Sequence, residues 1–373
     1  MQEIKLNGCE QQKRWQWEQI QARLFRYNVK SLSLGQYQQA GAFVINESKN
    51  IFIIFLVAKA VVSGQMTLGA MMAVQYILGQ LNSPVEQLLG FIQSSQDARI
   101  SMERLNEIYE VESEEPAGRI FHPGLPEDKT LHLQELSFRY PGAGNEPVLR
   151  NINLTIPAGK TTAIVGMSGS GKTTLLKLLL GFYPPNQGEI RVGQSSITHI
   201  KPSVWRRNCG TVMQEGFIFS DTIASNIAVA DERPDLQRLW HAIRAANLQE
   251  FVLSLPLGVQ TRIGAEGNGI SQGQKQRILI ARAVYKNPDY LFFDEATNAL
   301  DANNERVIME NLDEFIAGRT VVVVAHRLST VRHADQIVVL HRGEIIETGT
   351  HESLVALEGE YFALVRNQLE LGV

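Results

Sequence analysis

The 373-residue sequence holds only two cysteines, Cys9 and Cys209, far apart and in no metal-ligand spacing. That scarcity excludes a cysteine-ligated metal site and leaves two reduced thiols suited to a cytosolic setting. Charge is also sparse: Asp, Glu, Lys and Arg make up 20% of the chain and the net charge is −4, which gives no strongly basic surface for nucleic acid. No internal repeat is visible. Residues 1–35 are polar and aromatic with scattered Lys and Arg, unlike the charged start and apolar core of a cleavable leader, so none is expected. The length itself favours two units over one.

What the chain does hold is a phosphate-loop template, GMSGSGKTT, from Gly166 to Thr174. It lies between a strand-like run, Thr162 to Val165, and a helix-like run, Leu175 to Leu180, which is the context the template requires. Glycines let such a loop turn its backbone N–H groups inward to cradle phosphate oxygens with the following helix N-terminus. Gly166, Ser168, Gly169, Ser170, Gly171, Lys172, Thr173 and Thr174 are therefore candidate nucleotide-binding residues. Lys172 adds charge for the β- and γ-phosphates, and the Thr173 hydroxyl is a candidate Mg2+ ligand. The plainer alternative is a glycine-rich turn before an ordinary helix.

The N-terminal third reads differently. Lys5, Lys13, Arg14, Arg23, Arg26 and Lys30 alternate with Gln and Glu, and Trp15, Trp17 and Phe25 stand between them, as on a solvated amphipathic helix. The apolar run from Gly41 to Val62 would span about 33 Å as a helix, enough to cross a hydrocarbon core. A short break, SGQM, precedes a second run from Thr67 to about Ile92, apolar apart from Gln75, Gln80, Asn82, Glu86 and Gln87. Basic residues flank the pair and the break carries none, so the positive-inside rule predicts a membrane hairpin with both ends in the cytosol. Asn46, Glu47, Lys49 and Lys59 would then face other helices or a cavity, or snorkel as Lys59 could. The alternative is a buried soluble hairpin.

Two spans cannot enclose a pathway, so partner helices are implied. The expected division is a partial transmembrane domain over 1–110, with a coupling region at 1–35, membrane helices at about 41–62 and 67–92 and a cytoplasmic helix at 94–110. A Pro- and Gly-bearing linker over 111–130 follows, then a soluble domain over 131–373. That domain shows strand-like runs separated by helix-like ones, and continuous apolar strands such as VVVV suit a parallel sheet covered on both faces. The fold class predicted is an α/β phosphate-loop nucleotide-binding domain preceded by an all-α membrane segment.

A second chemical signal is YLFFDE, 290–295, an apolar strand ending in two carboxylates. Ligands sit at the carboxyl ends of strands in such sheets, so Asp294 would reach Mg2+ and Glu295 would lie near the γ-phosphate. Taken in order, Tyr140, GMSGSGKTT, Gln214, ISQGQKQR (270–277), YLFFDE, NALD (298–301) and His326 resemble the nucleotide-binding domain of an ATP-binding cassette (ABC) transporter. The resemblance covers nearly all of residues 131–365, and the ISQGQ segment discriminates it from other phosphate-loop folds. Residues 1–110 are similar to the last membrane third of an exporter half. The wording EIKLNG, MTLG and QYILGQLNSPVEQL most resembles bacterial peptide and bacteriocin exporters that carry a cysteine peptidase domain.

The resemblance implies ATP and Mg2+ as cofactors and a head-to-tail dimer with a second copy or a homologous ABC subunit. Tyr140 would stack on adenine, unless it is simply a strand-end core tyrosine. Gln214 would sit by Mg2+ and the attacking water, Glu295 would act as general base or orient the water, and His326 would hydrogen-bond the γ-phosphate. Ser271, Gly273 and Gln274 would meet the opposite nucleotide, and Asp301 would help set the dimer interface. Gln272 stands where the family usually has glycine, and Asn298 where it usually has serine.

The implied function is ATP-driven export of a peptide or bacteriocin-like substrate across the bacterial plasma membrane, by a multi-pass protein in contact with lipid and with its nucleotide-binding domain in the cytoplasm. The missing membrane helices would come from upstream sequence, and no nucleic acid is a partner. Alternatives are a truncated or split subunit that only binds ATP or dimerises, an exporter of lipid or drug, and a soluble non-transport ABC ATPase. Cys9 has no neighbouring histidine and is not expected to be a peptidase nucleophile.

Overall fold

In a computed structural model, residues 2–116, 118–142, 144–214, 216–264, 267, 269–294, 302–325 and 331–370 are described. They fall into two compact units, Met1–Glu112 and Ser113–Val373.

The first unit is helical: α1 (Gln2–Leu6), α2 (Glu10–Val62) and α3 (Leu68–Tyr109). With no proline to interrupt it, α2 runs for 53 residues, about 80 Å at helical rise. The polar start and the apolar run therefore share one continuous helix, since hydropathy changes near residue 41 while helix propensity does not. Residues 92–94 likewise lie inside α3. The helices part at the expected SGQM break, where Gly64 takes a φ of +77° and the Thr67 hydroxyl accepts from the Ala70 amide at 3.2 Å to cap α3.

Half-buried Asn46, Asn50, Ile53, Val57 and Ala60 recur along α2 at alternating steps of four and three, the spacing of a helix–helix seam. Among the polar residues of this run, Lys49 donates to Asn46 Oδ1 at 2.6 Å. No residue of α2 is buried, and Phe43, Ile45, Ile51, Phe52 and Phe55 are exposed. Among the described residues, α2 is the one helix long and apolar enough to cross a membrane by length and composition. The second expected run is helical, but its glutamines and Pro84 leave it short of that measure.

The second unit contains, in chain order, β1 (Leu131–Phe138), β2 (Leu149–Ile156), β3 (Thr161–Val165), α4 (Lys172–Leu179), β4 (Gln187–Val192), β5 (Ser195–Ser196), α5 (Pro202–Arg207) and β6 (Cys209–Val212). Next come β7 (Asp221–Thr222), α6 (Ile223–Ile227), α7 (Leu236–Ala245), α8 (Gln249–Ser254), β8 (Arg262–Ile263), α9 (Gln272–Lys286), β9 (Tyr290–Asp294) and α10 (Ala302–Ile316). The last elements are β10 (Thr320–Val324), β11 (Gln336–His341), β12 (Glu344–Gly349) and the helices His351–Ala356 and Glu360–Glu370.

A six-stranded sheet runs β12-β11-β3-β10-β9-β6 and is parallel except for β12. A separate sheet, β2-β1-β4-β5, is antiparallel. The continuous apolar strands are buried on both faces, and alternation assigns each residue its side. Tyr290 and Phe292 of β9 enter the core that α4 shares with the antiparallel sheet. Leu291 and Phe293 enter the core built with α6 to α10. Ile337 and Val339 of β11 face a third cluster with Leu354 and Tyr361 of the C-terminal helices.

Part of the expected linker is bound to this domain. Glu115 accepts from the Ser203 amide at 2.7 Å at the start of α5 and pairs with Lys201 at 3.2 Å, while Glu114 pairs with Arg206 at 2.6 Å. The His122 amide donates to His199 O at 2.8 Å. Proline and glycine prevent a helix here, and two carboxylates with a bridging amide hold the chain in its place.

Asp335 ties the first residues of β3 to β11 by accepting from the Thr161 amide and the Lys160 ammonium, each at 2.9 Å. Partial burial pushes its carboxyl pKa up, but the Thr161 amide and then Lys160 outweigh that and hold it below the usual value. A depressed folded pKa stabilises above the unfolded pKa and is lost as the pH falls through the folded one. Asp335→Asn should lower the unfolding midpoint by roughly 2 °C at neutral pH, a modest effect because the pair is partly solvated. The gap between variant and wild type should close on acidification, as read by calorimetry across a pH series.

Candidate functional site

β3 lies between β10 and β11 in parallel register, and the chain leaves it at Val165 straight into the loop. Gly166 has a φ of +149°, and a Cβ there would lie 2.1 Å from the Leu340 carbonyl oxygen. Gly171 has a φ of +105°, and its Cβ would meet Leu149 Cδ2 at 2.8 Å and Val148 O at 3.2 Å. The loop is thus pressed between the start of β2 and the β11–β12 turn, where the Gly343 amide donates to Ser170 O at 3.1 Å. Only glycine fits both the dihedrals and the space.

α4 opens at Lys172, so the amides of its first turn reach no helical carbonyl and the helix end is electropositive. The buried Lys172 ammonium donates to Gly166 O at 2.8 Å and Met167 O at 2.9 Å, and so lies across the loop it follows. The Thr173 hydroxyl donates to Asp294 Oδ1 at 3.3 Å. Asp294 ends β9 with 1% of its surface exposed. The Ser170 hydroxyl is buried in the loop and has no hydrogen-bond partner among the described residues. Helix-end amides, an ammonium, and a hydroxyl beside a carboxylate form a donor set that fits a polyphosphate with a hard divalent cation.

The other expected residues gather in two places. Val212 of β6 pairs with Phe293 of β9, so exposed Gln214, just past β6, leaves the sheet at the same end as Asp294. Tyr140 follows β1, and its hydroxyl hydrogen-bonds the Thr174 hydroxyl at 3.2 Å, one residue from Thr173. It also meets Phe138 and Tyr183 edge-on at 5.0 and 5.4 Å. Tyr140 is thus half-buried beside the loop and at the same time part of an aromatic cluster, a geometry compatible with both readings of it.

Ser271, Gly273 and Gln274 stand at the head of α9. Ser271 Oγ accepts from the Gln274 amide at 3.1 Å, and Gln274 Oε1 accepts from the Ser271 amide at 2.8 Å, a reciprocal cap that the S-x-x-Q spacing could have revealed. Gln272 is the first residue of α9 and does not take a positive φ, so the backbone there accommodates a side chain. Among the described residues no hydrogen bond joins Ser271 or Gln274 to the phosphate loop. Glu295, Asn298, Asp301 and His326 lie outside the described residues.

A loop held by glycines at both ends, joining a central parallel strand to a helix N-terminus, is how phosphate-loop nucleotide-binding domains hold phosphate, and this domain is one of them. Residues 149–298 match the family model described as ABC transporter. Similar proteins include the exotoxin translocation ATP-binding protein PaxB of Pasteurella aerogenes, 37% identical over 356 residues, covering 95% of this chain and 49% of that protein. The alpha-hemolysin translocation ATP-binding protein HlyB of Proteus vulgaris is 38% identical over 341 residues, covering 91% of this chain and 48% of that protein. A bacterial Atm1-family ABC exporter solved with ATP bound superposes with a TM-score of 0.85 at 28% identity, covering 98% of this chain and 64% of that one.

The second unit is accordingly an ABC ATPase domain, of a class that hydrolyses ATP with Mg2+. It follows an N-terminal helical segment in the same chain. The chain spans about half the length of the curated relatives it matches.

The glycine geometry makes a direct prediction. Gly166→Ala should weaken binding of a fluorescent ATP analogue by at least tenfold, about 1.4 kcal/mol, with the circular dichroism spectrum unchanged. Thr173→Val, which removes the hydroxyl at nearly constant volume, should bind nucleotide but lose the gain in affinity that Mg2+ gives the wild type in the same titration.

Proposed function

We propose that this chain is the ATP-hydrolysing portion of an exporter that moves a polypeptide across the bacterial plasma membrane. The observation that carries the reading is the Thr173–Asp294 contact beneath a glycine-pressed loop, in one chain with an apolar helix of membrane-crossing length. The segments 41–62, in α2, and 67–92, the cap and first part of α3, are read as a hairpin with both ends in the cytoplasm, completed by helices from a partner or from upstream sequence. The seam of Asn46, Asn50, Ile53, Val57 and Ala60 supports helix pairing there.

When bound, ATP with Mg2+ supplies a phosphoanhydride whose γ-phosphoryl group can pass to water. The loop amides and Lys172 would hold the phosphates, Thr173 and Asp294 would hold the cation, and Tyr140 would steady the base. Glu295 would take the proton from the attacking water, with Gln214 and His326 orienting water and γ-phosphate. Ser271, Gly273 and Gln274 would come from a second copy, a reading supported by their placement at the head of α9, where among the described residues no hydrogen bond joins Ser271 or Gln274 to the loop of their own chain. Nucleotide binding would then close a dimer, and hydrolysis would release it.

The cargo is read as a polypeptide. The names of the similar proteins point to translocated toxins, and the wording EIKLNG, MTLG and QYILGQLNSPVEQL points to the peptide and bacteriocin exporters with a peptidase domain.

Glu295→Gln should reduce ATP turnover of the purified protein by at least a hundredfold, the scale on which general-base loss acts. Equal turnover in wild type and variant would refute the catalytic assignment. Ser271→Arg should abolish ATP-dependent dimerisation, measured by light scattering, while nucleotide binding persists. Recovery of the protein in the soluble fraction without detergent would refute the membrane assignment.

A further inference from the structure

Just past the end of α4 stands Tyr183, an aromatic residue that the proposed chemistry does not use. The helix stops in a way that fixes where this ring falls. Gly181 takes a φ of +73°, its amide donates to Leu178 O at 3.0 Å, and the Phe182 amide donates back to Lys177 O at 3.0 Å. Those two bonds form the glycine-ended turn that satisfies a helix's last carbonyls. Pro184 and Pro185 come next, and a residue before proline is disfavoured in the helical region, so the helix does not resume at Tyr183.

Asn186 ties this segment to the strand that precedes Tyr140. Its amide donates to Ser137 O at 3.0 Å, and its Oδ1 accepts from the Arg139 amide at 2.5 Å. Asn145 holds the other side, its Nδ2 donating to Tyr140 O at 3.3 Å and to Pro141 O at 3.1 Å. The ring of Tyr140 is held as well. Its hydroxyl bonds Thr174 in the first turn of α4, and Phe138 and Tyr183 meet it at interplanar angles of 80° and 85°. Those two rings also touch each other, with centres 5.6 Å apart, so the three brace one another. Edge contacts of this kind favour a definite tilt. Neither neighbour lies parallel to Tyr140, and a flat partner is what a purine would supply.

We infer that Tyr183 and Asn186 are positioning residues that set the place and tilt of Tyr140, and with them the share of nucleotide affinity that comes from the base. The inference rests on the role proposed above for Tyr140, and it adds which residues aim the ring. α4 touches that ring twice, through Thr174 at the head that would receive phosphate and through Tyr183 beyond its other end. One helix would thereby fix the distance between the base and the phosphates. A loss confined to the base marks this role, whereas a general loosening of the fold would weaken the hold on base and phosphates alike.

The test titrates the full chain in lipid nanodiscs with ADP and with inorganic pyrophosphate by calorimetry, so that no turnover intervenes and the two ligands differ by the adenosine. Tyr183→Leu should weaken ADP binding about fivefold and leave pyrophosphate binding within about twofold of wild type. Tyr183→Phe keeps the ring and should bind both ligands as the wild type does. Asn186→Ala should show the same selective loss in smaller measure, and it carries the test if Tyr183→Leu does not fold. Tyr140→Ala sets the scale: in that background Tyr183→Leu should cost ADP nothing further.

Unchanged ADP binding in Tyr183→Leu, equal weakening of both ligands, or a full additional loss in the Tyr140→Ala background would overturn the inference while leaving the role of Tyr140 standing. Unchanged ADP binding in Tyr140→Ala would refute that role, and the inference with it.

Discussion

The close approach of the Leu340 carbonyl to Gly166 is the contact on which this domain turns. It fixes how the chain leaves the central strand, and therefore where α4 begins and which way its free amides point. Everything that could handle a phosphate follows from that exit. Lys172 is carried back over the loop, Thr173 is delivered to Asp294, and Thr174 is brought to Tyr140. Residues of both sheets pack against the apolar face of α4.

The enclosure also explains the electrostatics. An aspartate almost wholly removed from water at the end of β9 is costly unless something positive or donating shares its space. Here a hydroxyl already does, and a divalent cation would complete it. On the other side of the same sheet the helical core α6 to α10 carries the Gln214 segment and the head of α9. The two faces of one sheet thus separate two tasks, holding a nucleotide and presenting a surface to another.

Much of the ATPase domain was readable in the chain, for reasons visible in particular residues. β3, β9, β10 and β11 stand out as apolar runs because both faces are buried, Lys172 and Thr173 stand out because the glycine spacing of the loop is tightly constrained, and Asp294 stands out as a charge ending an apolar strand. The cap of α9 is local and legible in Ser271 and Gln274. The separate antiparallel sheet was not legible, since pairing β1 with β4 depends on contacts across fifty or more residues of chain. Nor was the binding of Glu114 and Glu115 to Arg206 and Lys201, where composition suggested only a linker. Asn186 looks like any polar turn residue until its bonds to Ser137 and Arg139 are seen.

In the N-terminal unit hydropathy marked the apolar run and the SGQM turn. Helix continuity through residue 41 followed a different rule, because a helix continues wherever its backbone bonds do and is indifferent to whether its side chains meet water or lipid. The sequence by itself determined the chemistry available, namely the phosphate loop, the acidic strand end and the apolar helix, because each depends on neighbours within a few residues. Tertiary structure alone decided that Thr173 meets Asp294, that Tyr140 reaches Thr174 and that Tyr183 meets Tyr140. Those contacts join residues tens to more than a hundred positions apart, and only the packing of two sheets around α4 brings them together.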